Sequence, residues 1–166
     1  YNNNLYVQSG LITGTQWDMM MKFLSESSDY SDMKSTNWGN YDNVSLSNLR
    51  GYYTNVNTSN ASTDGFKDAS SFTTNSGTSS WVILTTGSTS QVLRKGLYDV
   101  AGNLWEWTQE ASYVANLGYN TTYNTYNLRG GSFNYPYASR PACYRGYNCA
   151  PYTGTDFGFR PVLYIK

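Results

Sequence analysis

Histidine is absent from all 166 residues of this chain. That removes the Ser-His and Cys-His pairs on which much nucleophilic catalysis at neutral pH depends. Charge is scarce too: Asp, Glu, Lys and Arg make up 13% of residues and their formal charges cancel to zero. No basic field exists to draw in nucleic acid or an anionic membrane surface, so neither is expected as a partner. No stretch approaches the ~20 consecutive apolar residues that span a bilayer, so no membrane insertion is expected. The opening YNNNLYVQSG lacks the basic-then-apolar pattern of a secretion signal. Repeats and heptads are missing, which sets aside solenoids and coiled coils. Cysteine is limited to Cys143 and Cys149. A small local disulfide in an oxidising compartment accounts for them, as do two unpaired thiols in a loop.

What the chain has in abundance is tyrosine, 17 residues of it, within an aromatic content of 17%. Asn, Ser, Thr and Gly fill most of the remaining polar positions. Tyrosine gives large contact area at low rotamer entropy and the small polar residues give adaptable hydrogen bonds, the chemistry of antibody-type paratopes. An irregular, turn-rich extracellular fold is the plainer account of the same composition. The length fits one domain over residues 1–166 with a sizeable core. Asn43, Asn57, Asn60 and Asn120 begin glycosylation triplets, which a chain this rich in Asn, Ser and Thr produces by composition. Low charge and high Asn content suit an extracellular, cell-surface or virion-surface protein.

Thr13 or Thr15 is placed to cap a helix in which Trp17, Met20, Met21 and Leu24 recur near i, i+3, i+4 and i+7, a core-facing stripe. An adaptable methionine groove for a partner is the other use of such a stripe. From Ser25 to Ser80 no periodicity persists, and the segment reads as long ordered loops. Trp81–Leu84, Leu104–Trp107 and Val162–Ile165 are strand candidates, the last expected to end the central sheet. Trp105 and Trp107, two apart, would share one strand face and bury there. Holding a sugar ring is the exposed alternative, and Trp38 carries the same two readings.

Four motifs occur in order: LITGTQWDMMM (Leu11–Met21), NWGNY (Asn37–Tyr41), GLYDVAGNLWEW (Gly96–Trp107), and LRGGSF (Leu128–Phe133) followed by Arg140, Arg145 and GFR (Gly158–Arg160). Together they resemble the signatures of the formylglycine-generating-enzyme (sulfatase-modifying-factor) family. The resemblance runs from about Leu11 to the end. It implies an α+β C-type lectin fold of that subtype, with a small antiparallel sheet, one or two helices and long ordered loops. The family usually carries further N-terminal strands not recognisable here, so the chain is expected to be either a compact variant or the C-terminal part of a longer polypeptide.

Asp99 and Glu106, with carbonyls from Ala101, Gly102 or Leu104, form an oxygen set of the kind calcium accepts on a tight turn. Family members bind calcium at this loop, and the resemblance carries that site to Asp99, Gly102, Leu104 and Glu106, with a structural role for Ca2+. The alternative is that Asp99 closes a local turn while Glu106 caps neighbouring backbone.

In the family's enzymes a copper-binding cysteine pair follows the GGS motif. Here Tyr135 stands at the first of those positions, and the second falls near Ser139 or Arg140. The related sulfoxide synthases use histidine ligands, which this chain also lacks. No catalytic residue is therefore assigned. Asn134–Tyr152, NYPYASRPACYRGYNCAPY, lies where a second branch of the family, the variable proteins of diversity-generating retroelements, displays its ligand contacts. The expected contacts are Asn134, Tyr135, Tyr137, Ser139, Tyr144, Tyr147, Asn148, Tyr152 and Thr153.

Between Arg129 and Ile165 there is no Lys, Glu, Gln, Met or Trp, so every residue there is encodable by a codon ending in cytosine or thymine. Adenine-directed mutagenesis of AAC codons generates such a set, which makes 128–166 a candidate variable segment. Arg140, Arg145 and Arg160 are expected to be structural, with Asp156 a partner for one of them. Gly130, Gly131 and Gly158 are expected at turns or close backbone approaches.

The sequence thus predicts a non-enzymatic module that binds a protein or glycan on a cell surface, within a parent polypeptide or assembly. The alternatives are a copper-dependent oxidase using Cys143 and Cys149, and a structural domain of a phage or surface assembly.

Overall fold

The computed structural model describes residues 6–34, 37–57, 62–74, 81–113, 124–149 and 154–165. Strand β1 (Val7–Leu11) leads into helix α1 (Gly14–Leu24). Of the two candidate caps Thr13 is the one used. Its Oγ1 accepts from the Gln16 N–H at 3.2 Å while Gln16 Oε1 accepts from the Thr13 N–H at 2.9 Å, so two otherwise orphaned donors are satisfied reciprocally. Trp17, Met21 and Leu24 are buried and Met20 packs at their edge, so the predicted stripe is core. Trp17 Nε1 donates to the Ala142 carbonyl at 3.0 Å, fastening the helix beneath the C-terminal loops.

The region read as loop contains strands. β2 (Tyr52–Asn57) pairs antiparallel with β3 (Ser62–Thr63), β4 (Lys67–Asp68) and β5 (Val82–Leu84). Its inward residues are Thr54 and Val56. With one aliphatic side chain between them, they leave no hydrophobic alternation to detect. A second core cluster of Leu46, Leu49, Ala69, Leu84 and Val92 packs against this sheet, with Tyr53 stacked on Phe72 at its margin. A short hairpin follows, β6 (Leu93–Arg94) and β7 (Leu97–Tyr98). Both turn residues, Lys95 (φ 47°) and Gly96 (φ 84°), are left-handed, the twist that a two-residue hairpin needs.

The central sheet has the order β10-β9-β8-β11. β8 (Trp105–Tyr113) pairs antiparallel with β9 (Asn124–Arg129), and β9 pairs antiparallel with β10 (Gly146–Cys149). β11 (Phe157–Phe159) departs from the antiparallel expectation, since it runs parallel to β8, Phe157 opposite Trp105. β10 and β11 therefore run in the same sense at opposite edges, which requires a crossover rather than a hairpin. β12 (Pro161–Ile165) contains the predicted closing strand but pairs with β1 instead, Val7 opposite Ile165, so it lies outside the central sheet. The register of β8 against β9 shifts between Trp107 and Ala111.

Three of the motifs interlock at Asn103, which is buried and left-handed at φ 64°. Its Oδ1 accepts from Asn40 Nδ2 (3.0 Å) and the Leu84 N–H (2.9 Å), and its Nδ2 donates to the Leu84 carbonyl at 3.0 Å. Its own backbone N–H reaches the Asn40 carbonyl and its carbonyl receives the Phe133 N–H. Next to it, a Cβ on Gly102 would stand 2.3 Å from the Asn40 carbonyl oxygen, so only glycine fits. The segments containing NWGNY, GNLWEW and RGGSF are thus held in one polar knot, and the loop after Arg129 springs from it.

Candidate ligand-binding site

The loop from Gly130 to Arg145 leaves β9 and returns into β10. Gly130 (φ 91°) and Gly131 (φ 74°) turn it, and a Cβ on Gly131 would lie 2.2 Å from the Arg140 carbonyl oxygen. Gly158 has no such conformation. It sits in β11, where a Cβ would press on the Leu104 side chain at 3.2 Å. Tyr41 contributes its hydroxyl to the Gly130 carbonyl at 2.8 Å.

Where this loop meets β8, β10 and β11 a cleft of about 400 Å³ opens, lined by Trp105, Tyr135, Arg140, Tyr144, Tyr147 and Asn148, with Asp156 and Phe157 on its rim. Trp105 is buried and forms the floor. Its ring meets Tyr135 edge-on with centroids 5.9 Å apart and Tyr144 at 6.0 Å, within the range for favourable aromatic pairs. Gly146 of β10 lies against that indole. Trp107 stacks on Phe157 at 5.6 Å, so both tryptophans serve packing.

The structure brings Tyr135, Tyr144, Tyr147 and Asn148 of the predicted set to this cleft. Asn134 stands behind it: its Oδ1 accepts from Ser132 Oγ at 2.5 Å and its Nδ2 donates to Asp156 Oδ2 at 3.4 Å. Tyr137 is turned the other way, its N–H donating to Asn43 Oδ1 and its ring edge-on to Tyr41 against the core. Ser139 is exposed, with its hydroxyl on the Pro136 carbonyl. Tyr152 and Thr153 lie outside the described residues. Trp105, Arg140, Asp156 and Phe157 were not among the expected contacts. Trp105 and Arg140 were read as packing and structural residues, and no motif marks Asp156 or Phe157, which reach the cleft only because β11 pairs beside β8.

Asp156 pairs with the Asn134 amide rather than with an arginine, and burial pushes its carboxyl above the usual carboxylate range. The arginines divide. Arg145 reaches Asp18 and Glu110, and Arg160 reaches Glu106, as structural ion pairs. Arg140 instead lies over Tyr144 (4.4 Å to the ring centroid) and Tyr135 (5.2 Å), with Nη1 on the Ser139 carbonyl.

Asp99, Leu104 and Glu106, three of the four residues read as a calcium loop, line a second cleft of about 390 Å³, while Gly102 is drawn into the knot with Asn40. A guanidinium stands among their oxygens. Arg160 donates to both Glu106 oxygens (2.7 and 2.9 Å) and to the carbonyls of Tyr98 and Asp99. Asp99 Oδ2 accepts from the Gly87 N–H at 2.8 Å, and its buried Oδ1 has no donor among the described residues. Burial pushes both carboxyls upward, opposed by Arg160. As arranged, Arg160 engages both Glu106 oxygens and the Asp99 carbonyl.

Cys143 is a free thiol on the opposite side of its loop, facing Asp18, Met21, Asp29, Tyr30, Lys34 and Arg145. Burial raises its pKa. Among the described residues no group of three or more His, Cys, Asp or Glu is placed to hold a metal ion, and no helix is long and apolar enough to cross a membrane.

The profile of the sulfatase-modifying factor enzyme 1-like domain family matches residues 27–165. The helix motif Leu11–Met21, part of the resemblance in the sequence, lies outside that match. Among solved structures, that of CarF is similar, with a TM-score of 0.53 and 18% identity over 95% of this chain and 48% of that one. The chain thus spans about half the length of that structure, and at this identity the likeness concerns the fold alone. No curated protein sequence matches the chain.

Proposed function

We propose that this chain, which belongs to the sulfatase-modifying factor enzyme 1-like domain family, is a non-enzymatic ligand-binding module with the C-type lectin variant of the fold. The cleft over Trp105 is its binding site. The observation that carries the reading is the convergence of Tyr135, Tyr144, Tyr147 and Asn148, from two separate stretches of the C-terminal segment, on one face above a buried indole. Rigid aromatic walls with amide and carboxyl groups between them bind by shape and hydrogen bonding without activating a bond. The codon-restricted composition of 129–165 supports the finer reading, a variable protein of the diversity-generating type exposed on a cell or virion surface. The ligand is then a macromolecule on another cell.

The oxidase alternative draws no support from Cys143, whose half-buried, upward-shifted thiol is the reverse of a poised thiolate. In the structural-domain alternative, Tyr135 and Tyr147 would be covered by a neighbouring chain.

Selection of random displayed peptides on the immobilised protein tests the binding reading. The selected peptides are expected to lose at least about tenfold in affinity to Tyr144→Ser and to Tyr147→Ser, the size of a central aromatic anchor. Peptides that bind both variants as they bind the parent protein would remove the cleft as the site.

A further inference from the structure

We propose that Arg140 is the anchor of this site and that the ligand is a protein presenting an acidic side chain to it. The inference rests on the cleft being the ligand site and adds the chemistry it selects. Arg94, Arg129, Arg145 and Arg160 each pair with carboxylates inside the fold. Arg140, half-buried in the cleft, meets no carboxylate among the described residues. Its guanidinium is held by the faces of Tyr144 and Tyr135, with one N–H on the Ser139 carbonyl.

A guanidinium carries five N–H donors in a planar fork, so stacking on rings occupies its faces and leaves its edge for an oxyanion. The backbone beneath it is fixed as well. The Arg140 N–H donates to the Pro136 carbonyl at 3.2 Å, and its carbonyl lies so near Gly131 that no side chain would fit there. Little freedom is lost on binding, which is the condition for a strong anchor.

Asp156 lines the same cleft and opposes an anion there. It stands with the Asn134 amide and not with Arg140, so the cleft offers both a cation and an acceptor. An acidic residue in a polypeptide answers both, with its carboxylate for Arg140 and a neighbouring backbone N–H for Asp156. Pro136, Ala138 and Ser139 are exposed beside the cleft and Tyr147 is 51% exposed, which extends the contact surface past a single sugar ring. That breadth favours a protein over a glycan.

Parallel selections of random displayed peptides on the parent protein and on Arg140→Gln test this, with Arg140→Lys as a third bait and thermal melting to confirm that each is folded. Enrichment of Asp and Glu is expected on the parent protein and lost on Arg140→Gln. Replacing the selected acid by its amide should weaken binding at least about tenfold, the effect of a desolvated charge pair. Arg140→Lys should fall between the two, since it keeps the charge but loses the fork. Peptides with no acidic enrichment that still depend on Tyr144 would overturn the Arg140 proposal and leave the cleft standing. Failure to select any Tyr144-dependent peptide would overturn both. Binding of sialylated but not desialylated glycans, dependent on Arg140, would overturn the assignment to a protein ligand.

Discussion

Asp156 illustrates how a single residue trades fold stability for a site. It is an acid with no arginine partner among the described residues, half-buried in the cleft, and burial raises its pKa above the ordinary 3.8. The folded chain therefore holds a proton more tightly than the unfolded chain, and stability falls as pH rises from that ordinary value through the folded one. Asp156→Asn lacks this titration. It should match the parent protein at acidic pH below the window and be more stable than it at neutral pH, as read by urea unfolding across a pH series. A variant less stable at neutral pH would show instead that the ionised carboxylate has a stabilising partner. At this same scale the sequence was most legible where a motif fixes backbone geometry. Gly102 and Asn103 sit in GNLWEW because one position admits no Cβ and the other supplies both a donor and acceptors to Leu84 and Asn40. Arg140 and Asp156 were legible only as residues expected in structural pairs, because nothing in the linear order says which arginines pair with acids among the described residues.

Among the elements, α1, β8, β9 and the loop before β10 are joined by one charged cluster. Arg129 is fully buried and donates to Asp18 on α1 at 2.5 Å, to Glu110 on β8 at 3.3 Å and to the Cys143 carbonyl at 2.8 Å. Arg145 bonds the same two acids from the solvent side. Gly14 makes room for this, since a Cβ there would collide with the Glu110 carboxylate at 2.5 Å. Removing the buried member leaves Asp18 and Glu110 to Arg145 alone and takes the donor from the Cys143 carbonyl. Arg129→Met should lower unfolding free energy by about 1–3 kcal/mol, against about 0–1 kcal/mol for the exposed Arg145→Met, measured by denaturant unfolding. Equal losses for the two would mean that Arg145 holds the cluster as firmly as Arg129. The helix was readable because capping and a 3.6-residue stripe are local signals. β2 was not, since Thr and Tyr pack its faces, and neither was the pairing of β12 with β1, since partner choice between distant strands leaves no trace in either segment.

At the level of the whole molecule, a scaffold knotted by Asn103 and clamped by Arg129 carries a loop from which Tyr135, Arg140 and Tyr144 line a cleft. The division follows the sequence: the family motifs surround the knot, and the codon-restricted stretch from Arg129 onward supplies most of the cleft. The residues expected at the calcium loop follow the same logic of position. Glu106 was read with its neighbours in sequence, whereas its partner is Arg160, fifty-four residues on. The measurement that tests the central claim most directly is to sequence the 3′ end of the gene and its flanking DNA from many isolates. Substitutions concentrated at the codons for Tyr135, Tyr144, Tyr147 and Asn148, matched to adenines in a nearby repeat, with the codons for Asn103 and Arg129 constant, are the predicted result. An invariant C-terminal segment with no such repeat would contradict a diversified binding site.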